Sequence, residues 1–383
     1  MKKKILYISG TRADYGFMQG VLRKINEHPD LELEVIVTGM HLMHEFGYTS
    51  KIVEKDGFRV HKIPAKYDSS EASSVNFMGM FLKKMAVKIS DIRPDIILIA
   101  GDRAEMLGGA IVASYCSLPL AHISGGDVTS TIDEHIRHAI TKLAHIHFPY
   151  TALSAERIYK MGEDRWRIHI VGSPGVHQML NQALIPKEEV GKKYNLDLSR
   201  PFLIMIQHPV TFEADDAASQ IRTTLDAITE LGVQTILIYP NADSGGTRMI
   251  DVIHEFKKYP FIKTYKTIPP VEFSSLMKNA GAIVGNSSSG IVEAPSFKLP
   301  AINIGSRQEG REQADNVIDV GYDKGEIKNA ILTALSDKEF HKRVQSCKNP
   351  YDAGDAASRI TDVLASVKID RTLLQKKLRY RLP

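Results

Sequence analysis

Carboxylates placed just after short apolar runs are the first chemistry this 383-residue sequence offers. Gly101-Asp102-Arg103-Ala104-Glu105 follows one such run and His122-Ile123-Ser124-Gly125-Gly126-Asp127 follows the next. Thr131-Ile132-Asp133-Glu134-His135-Ile136-Arg137-His138 then opens a helical pattern. Asp102, Asp127 and Asp133 are expected to converge on one edge, and grouped acids suit general acid and base work. A plainer reading of Asp102 is a helix cap, because a carboxylate there accepts backbone N–H bonds. A plainer reading of Asp133 and Arg137, spaced i,i+4, is a surface ion pair bracketed by His135 and His138.

Two further stretches suit anions. In Ser9-Gly10-Thr11-Arg12-Ala13-Asp14-Tyr15-Gly16 a turn glycine, the free amides of a helix start and the Arg12 guanidinium make a cradle, or simply a structural turn. Gly285-Asn286-Ser287-Ser288-Ser289-Gly290-Ile291-Val292-Glu293 also follows an apolar run. Its small residues let a phosphate approach the amides of Ser287 and Ser288, and Glu293 one turn later is placed to accept from ribose hydroxyls. His208 ends another run, and Phe273 either stacks on a base or fills core. No G-x-G-x-x-G, G-K-[ST], H-E-x-x-H or Asp-x-Asp occurs, so no nicotinamide cofactor, ATP or metal is expected. Arginine and backbone amides must then carry a diphosphate's charge.

The elements that position these residues read as βα alternation. Strands are expected at Lys4–Ser9, Leu33–Thr38, Arg59–Ile63, Asp95–Ala100, Leu118–Ile123 and Ile168–Val171. After a polar break from Ile185 to Pro201, read as a hinge with a short helix, they resume at Phe202–Ile206, Gln234–Tyr239, Phe261–Thr264, Ala282–Gly285 and Ala301–Ile304. The length exceeds what one core usually supports, so two α/β domains with parallel sheets are expected. In such sheets ligands sit beyond the carboxyl ends of the strands, where the residues above fall.

Hydrophobic residues make up 43% and charged residues 25%, as in soluble globular proteins. No apolar run reaches the ~20 residues of a membrane span and the start lacks a signal-peptide core, so no membrane partner and a cytoplasmic location are expected. Lys and Arg number 49 against 45 acids, for a net charge of +4, and are spread along the chain, which gives no footprint for nucleic acid. The local excess of Lys376, Lys377, Arg379 and Arg381 is expected to coat a solvated helix face. Cys116 and Cys347 stand far apart and outside C-x-x-C, as idle thiols rather than a disulfide or zinc site.

Taken together, Gly10-Thr11-Arg12-Ala13-Asp14-Tyr15, Val37-Thr38-Gly39-Met40-His41, Gly101-Asp102-Arg103, Asp133-Glu134 with Ile136-Arg137-His138, His208-Pro209-Val210-Thr211, Gly285 to Gly290, and Arg307-Gln308 with Gly310-Arg311 resemble the hydrolysing UDP-N-acetylglucosamine 2-epimerases of bacterial sialic acid synthesis. The resemblance runs over almost the whole length. It implies a glycosyltransferase-B-like pair of Rossmann-like domains facing a cleft, 1–175 and 176–359, with a C-terminal helix at about 360–383 rejoining the first. It implies Asp102 and Asp133 as principal catalytic carboxylates, with Asp127 and Arg137 beside them. Arg12, His208, Ser287, Ser288 and Glu293 would hold diphosphate and ribose, and Phe273 the uracil.

The implied reaction is UDP-N-acetylglucosamine and water to N-acetylmannosamine and UDP, through a glycal. The same chemistry on a UDP- or GDP-linked diacetamido-trideoxyhexose is the alternative within the family; a glycosyltransferase shares the architecture but needs an acceptor. Ser124 stands where some relatives have Glu, and Gly175 replaces a common acidic residue. A nucleotide-sugar substrate, no cofactor and a homodimer or homotetramer complete the expectation.

Overall fold

The computed structural model describes residues 2–44, 47–67, 72–129, 133–241 and 243–379; Thr131, Ile132 and Arg381 lie outside them. The chain divides into two units. Unit 1 is Met1–Asp127, Asp133–Gln178 and Ala353–Pro383; unit 2 is Val128–Ile132 and Met179–Asp352.

Unit 1 runs β1 (Lys3–Ser9), α1 (Arg12–Glu27), β2 (Leu31–Val37), α2 (Ser50–Lys55), β3 (Arg59–Lys62), α3 (Ser73–Ile92), β4 (Ile96–Ala100), α4 (Ala104–Tyr115), β5 (Leu120–Ile123), α5 (Asp133–Leu143), β6 (Ile146–Phe148) and α6 (Ala152–Lys160), and α7 (Pro174–Asn181) crosses from unit 1 into unit 2. Unit 2 runs α8 (Lys187–Tyr194), β7 (Phe202–Ile206), α9 (Ala217–Leu231), β8 (Gln234–Ile238), α10 (Gly246–Phe256), β9 (Ile262–Tyr265), α11 (Pro270–Asn279), β10 (Ala282–Gly285), α12 (Ser289–Val292), β11 (Ala301–Ile304), β12 (Val317–Val320), α13 (Lys324–Ser336) and α14 (Lys338–Ser346). The chain then returns to unit 1 as α15 (Ala356–Ser366) and α16 (Arg371–Leu374).

Each unit holds one six-stranded sheet, ordered β3-β2-β1-β4-β5-β6 and β12-β11-β10-β7-β8-β9, and every pair in both is parallel. The continuous apolar runs follow from this, because a parallel sheet is covered on both faces. Side chains alternate between two cores: Ile5 and Tyr7 of β1 join one, Leu6 and Ile8 the other. On β7, Leu203 and Met205 face one side while Phe202, Ile204 and Ile206 face the other. Each such buried side chain contributes about 1.5–3 kcal/mol.

The strand reading needs correction in three places. Ile168–Val171 is not a strand; it meets β6 through a single bridge, His147 with Ile168, and through bonds from the His169 and Val171 amides to the His147 and Pro149 carbonyls. β6 itself went unread because it has only three residues, too few to show a period. β12 was also missed: its residues are half-exposed or exposed, as an edge strand's are, and Asp319 interrupts the apolar pattern.

The basic tail is a further correction. Rather than coating a solvated helix, Lys376 lies beyond the single turn of α16 with its ammonium 2.8 Å from Glu163 Oε2. It also donates to the carbonyls of Lys142 and Ala144 at 2.8 and 2.6 Å. A nearly sealed carboxylate recruits it: Glu163 is 2% exposed, and needs the counter-charges of Lys142 and Lys376. Burial pulls Lys376 down to about 8, with Glu163 opposing.

Strand order reverses between β1 and β4 in unit 1 and between β10 and β7 in unit 2. These are the switch points at which open α/β sheets bind ligands beyond the carboxyl ends of the strands. The loops that leave them begin at Gly10, Gly101, Gln207 and Asn286.

Candidate active site

The carboxyl edge of unit 1 gathers three of the four residues expected to do chemistry there. Arg137, 6% exposed on α5, donates through Nε to Asp102 Oδ2 at 2.9 Å and through Nη2 to the same oxygen. Its Nη1 lies 3.6 Å from Asp127 Oδ2. Asp102 therefore does not cap a helix: Arg103 is the N-cap of α4, without a side-chain cap bond. The surface pairing of Arg137 with Asp133 is replaced by this inward one, because α5 turns Arg137 into the protein. Burial works against the Arg137 charge, yet Asp102 and Asp127 raise its pKa and keep it protonated. Asp133, half-buried, stands one helical turn earlier at the start of α5.

The β1–α1 turn differs from the open cradle expected of it. Its Gly10 and Thr11 amides are already taken by Asp14, at 3.0 and 2.8 Å, in a capping box with Thr11. Arg12 is the first residue of α1 and is exposed, so its guanidinium is what this turn presents. Glu105, unassigned from sequence, is fully buried beneath the turn, its Oε2 3.4 Å from Arg103 Nε. A Cβ on Gly10 or on Gly39, which has φ +55°, would come within 2.5 Å of Glu105 Oε1. Burial pushes the Glu105 carboxyl up and Arg103 holds it back.

In unit 2 the loops after β7 and β10 are bound to each other. Asn286, fully buried, accepts from the His208 amide at 2.6 Å and donates to the His208 carbonyl at 2.8 Å. Its own carbonyl accepts from Arg307 Nη1 at 3.2 Å and Gln308 Nε2 at 2.8 Å. His208 Nδ1 accepts from the Asn241 amide at 3.0 Å, which leaves the proton on Nε2. Burial, with Arg307 adding to it, lowers the His208 pKa to about 3. His208 is thus a neutral N–H donor rather than a cation. Gly285, at φ +126°, lets β10 close on β7: a Cβ there would sit 2.0 Å from the Ile206 carbonyl oxygen.

Ser287 and Ser288 are half-buried at the start of α12. That helix is one turn long, so local amides rather than a helix dipole are what it offers an anion. Burial pushes Glu293 up to about 7, with Arg311 opposing; Arg311 also donates to the Val128 carbonyl at 2.8 Å. Phe273 on α11 packs partly buried against the Tyr194, Ile204 and Leu276 core, which supports its plainer reading. Among the described residues no three or more His, Cys, Asp or Glu side chains are grouped to hold a metal ion. No helix among them is long and apolar enough to cross a membrane.

The two switch points thus carry different chemistry, carboxylates around a guanidinium in unit 1 and N–H and hydroxyl donors in unit 2. The family model for UDP-N-acetylglucosamine 2-epimerase matches residues 23–365. The chain belongs to that family. A UDP-N,N'-diacetylbacillosamine 2-epimerase (hydrolyzing) of Legionella pneumophila is 36% identical over 98% of this chain and 99% of that protein. A UDP-N-acetylglucosamine 2-epimerase of Neisseria meningitidis is 35% identical over 98% of each. Among solved structures, the Neisseria meningitidis UDP-GlcNAc 2-epimerase bound to UDP-GlcNAc superposes with a TM-score of 0.78 at 16% identity, over 94% of this chain and 99% of that one. The epimerase fold of paired parallel sheets is therefore shared.

Sequence reasoning missed Asp14 as a cap, Glu105 and Asn286. Asn286 had a signal, a polar residue wedged between a strand-end glycine and a serine run. Glu105 had little, because a helical Glu is ordinarily a surface residue.

Proposed function

We propose that the protein is a hydrolysing 2-epimerase of a UDP-linked 2-acetamido sugar, releasing UDP and the free C2-epimer. The observation that carries this is the Asp102–Arg137–Asp127 group at the unit 1 switch point, since C2 inversion calls for positioned carboxyl groups to take and return a proton. Proton removal from C2 needs prior weakening of the C1–O bond, because no carbonyl acidifies that position. As UDP departs, C1 gains positive character and C2–H becomes acidic enough for a carboxylate. The pair left in the C2–H bond forms the C1–C2 double bond of a glycal. Water then adds to C1, and a second acid protonates C2 on the opposite face. Asp102 and Asp133, on separate elements, take these two roles.

In unit 2 the reading gives the diphosphate to the His208 Nε2–H and the Ser287 and Ser288 amides, and the ribose to Glu293. Arg12 supplies a compensating cation. Donors aimed at the leaving group stabilise the charge it develops, which is where such donors accelerate a reaction most.

For the sugar, a diacetylbacillosamine-type 2,4-diacetamido hexose is supported by the Legionella relative and by Ser124 and Gly175. Such a sugar has fewer hydroxyl donors than N-acetylglucosamine, so it asks for fewer carboxylate acceptors. UDP-N-acetylglucosamine is the second reading, supported by the Neisseria relative. Incubation with both UDP-sugars in ¹⁸O-labelled D₂O tests everything at once. The expected products carry ¹⁸O at C1, deuterium at C2 and unlabelled UDP. Label in the phosphate, or protium retained at C2, would reject the mechanism; the sugar that turns over decides between the substrates.

A further inference from the structure

Asp102 sits on the β4–α4 loop and Arg137 on α5, two elements separated in sequence by α4, β5 and the loop that follows. A closed ring of contacts nevertheless fixes one against the other. From Asp102 the ring passes to Arg137 Nε at 2.9 Å and, through the residue, to the Arg137 carbonyl. That carbonyl accepts from Thr141 Oγ1 at 2.9 Å, and the same hydroxyl lies 3.3 Å from His122 Nδ1. His122 Nε2 lies 2.9 Å from the carbonyl of Gly101, which is bonded to Asp102. The ring therefore returns to the residue it started from, once through side chain and once through backbone.

The proton positions follow from what each group can do. A carbonyl only accepts, so His122 carries its proton on Nε2 and leaves a lone pair on Nδ1. The Thr141 hydrogen then lies between that lone pair and the nearer Arg137 carbonyl. His122 and Thr141 are both fully buried, and burial drives the His122 pKa down to about 3, so the ring holds a neutral imidazole. Space is tight as well: a Cβ at Gly125 would stand 3.0 Å from both His122 Nδ1 and Thr141 Oγ1.

We propose that Thr141, acting with His122, is a positioning residue that sets Arg137, and through it the Asp102 carboxylate, in the geometry that removes or returns the C2 proton. The proposal rests on the role assigned to Asp102 above. A base displaced by a fraction of an ångström loses rate and not affinity, so the effect belongs in kcat.

The test uses the intact chain and two variants, Thr141→Val, which keeps the shape without the hydroxyl, and Thr141→Ser, which keeps the hydroxyl without the methyl. Thr141→Val is expected to lower kcat by roughly tenfold or more, leaving KM for the UDP-sugar within about twofold, while Thr141→Ser keeps at least half the wild-type kcat. In ¹⁵N spectra His122 is expected as the Nε2–H tautomer, and the Arg137 Nε–H resonance is expected to shift in Thr141→Val but not in Thr141→Ser. A Thr141→Val enzyme with wild-type kcat and an unmoved Arg137 resonance, a serine variant as slow as valine, or a proton on His122 Nδ1 would overturn the proposal. Asp102→Asn is measured alongside. Wild-type turnover there removes the catalytic reading of Asp102, and the ring is then judged by the Arg137 and His122 resonances alone.

Discussion

Asp102 lies against a guanidinium that is itself nearly sealed from water, so each member of the pair is costly to leave alone. Asp102→Asn preserves an oxygen for Arg137 to donate to but removes the basic site. Turnover is expected to fall by at least ~100-fold, with UDP affinity, measured by calorimetry, unchanged; near-wild-type turnover would return Asp102 to a structural role. Glu293 carries a pH signature. Its folded pKa, about 7, stands above the ordinary carboxylate value of 4.5. Its contribution to stability is therefore fully present below about 4.5 and is lost as pH rises through 7. Ionisation also makes it a pure acceptor for ribose hydroxyls. UDP affinity is expected to rise between pH 6 and 8 more steeply in the wild type than in Glu293→Gln, where only the phosphate titrates. Parallel profiles for the two proteins would detach Glu293 from the nucleotide.

At the scale of elements, β1, β4, β7 and β10 were legible because each is a continuous apolar run closed by a polar or glycine residue, and the residues after them were legible with them. The inward turn of α5 was not. Spacing shows that Asp133 and Arg137 share a helix face, but only the packing of α5 beside β5 decides that this face looks inward. Asp14 was hidden similarly, since a short motif does not say whether its acid meets a ligand or its own backbone. Asn286 illustrates what such buried polar residues do: one amide group spans the loops after β7 and β10. Asn286→Ala removes both of its bonds to residue 208 and is expected to cost about 1–3 kcal/mol in urea unfolding. It should also weaken UDP binding, because His208 loses its support. Unchanged stability would show that the loop is held by other contacts.

For the molecule as a whole, unit 1 is discontinuous, and its last segment is tied to its first strand. The Lys3 ammonium donates to the carbonyls of Leu364, Ala365 and Val367 at 2.8, 2.9 and 2.7 Å, at the C-terminal end of α15. A cation there also meets the negative end of the helix dipole. Lys3→Ala is expected to lower unfolding stability by roughly 1–2 kcal/mol, and Lys3→Met, which keeps the aliphatic stem, by nearly as much. Rescue by methionine would assign the effect to packing instead. Ile360, Leu364 and Leu373 complete the core on that face of the sheet.

That return of the chain sets an order in time. During synthesis the ribosome delivers β1 to β6 first, yet Ile360, Leu364 and the carbonyls that Lys3 seeks arrive only after all of unit 2 has been made. Domains ordinarily fold in the order they emerge. Here the unit begun first is the unit finished last, and the places that Ile360, Leu364 and Leu373 take in its core stay unfilled while residues 179–352 are translated. The Lys3 contacts with α15 can therefore form only after unit 2 has been made.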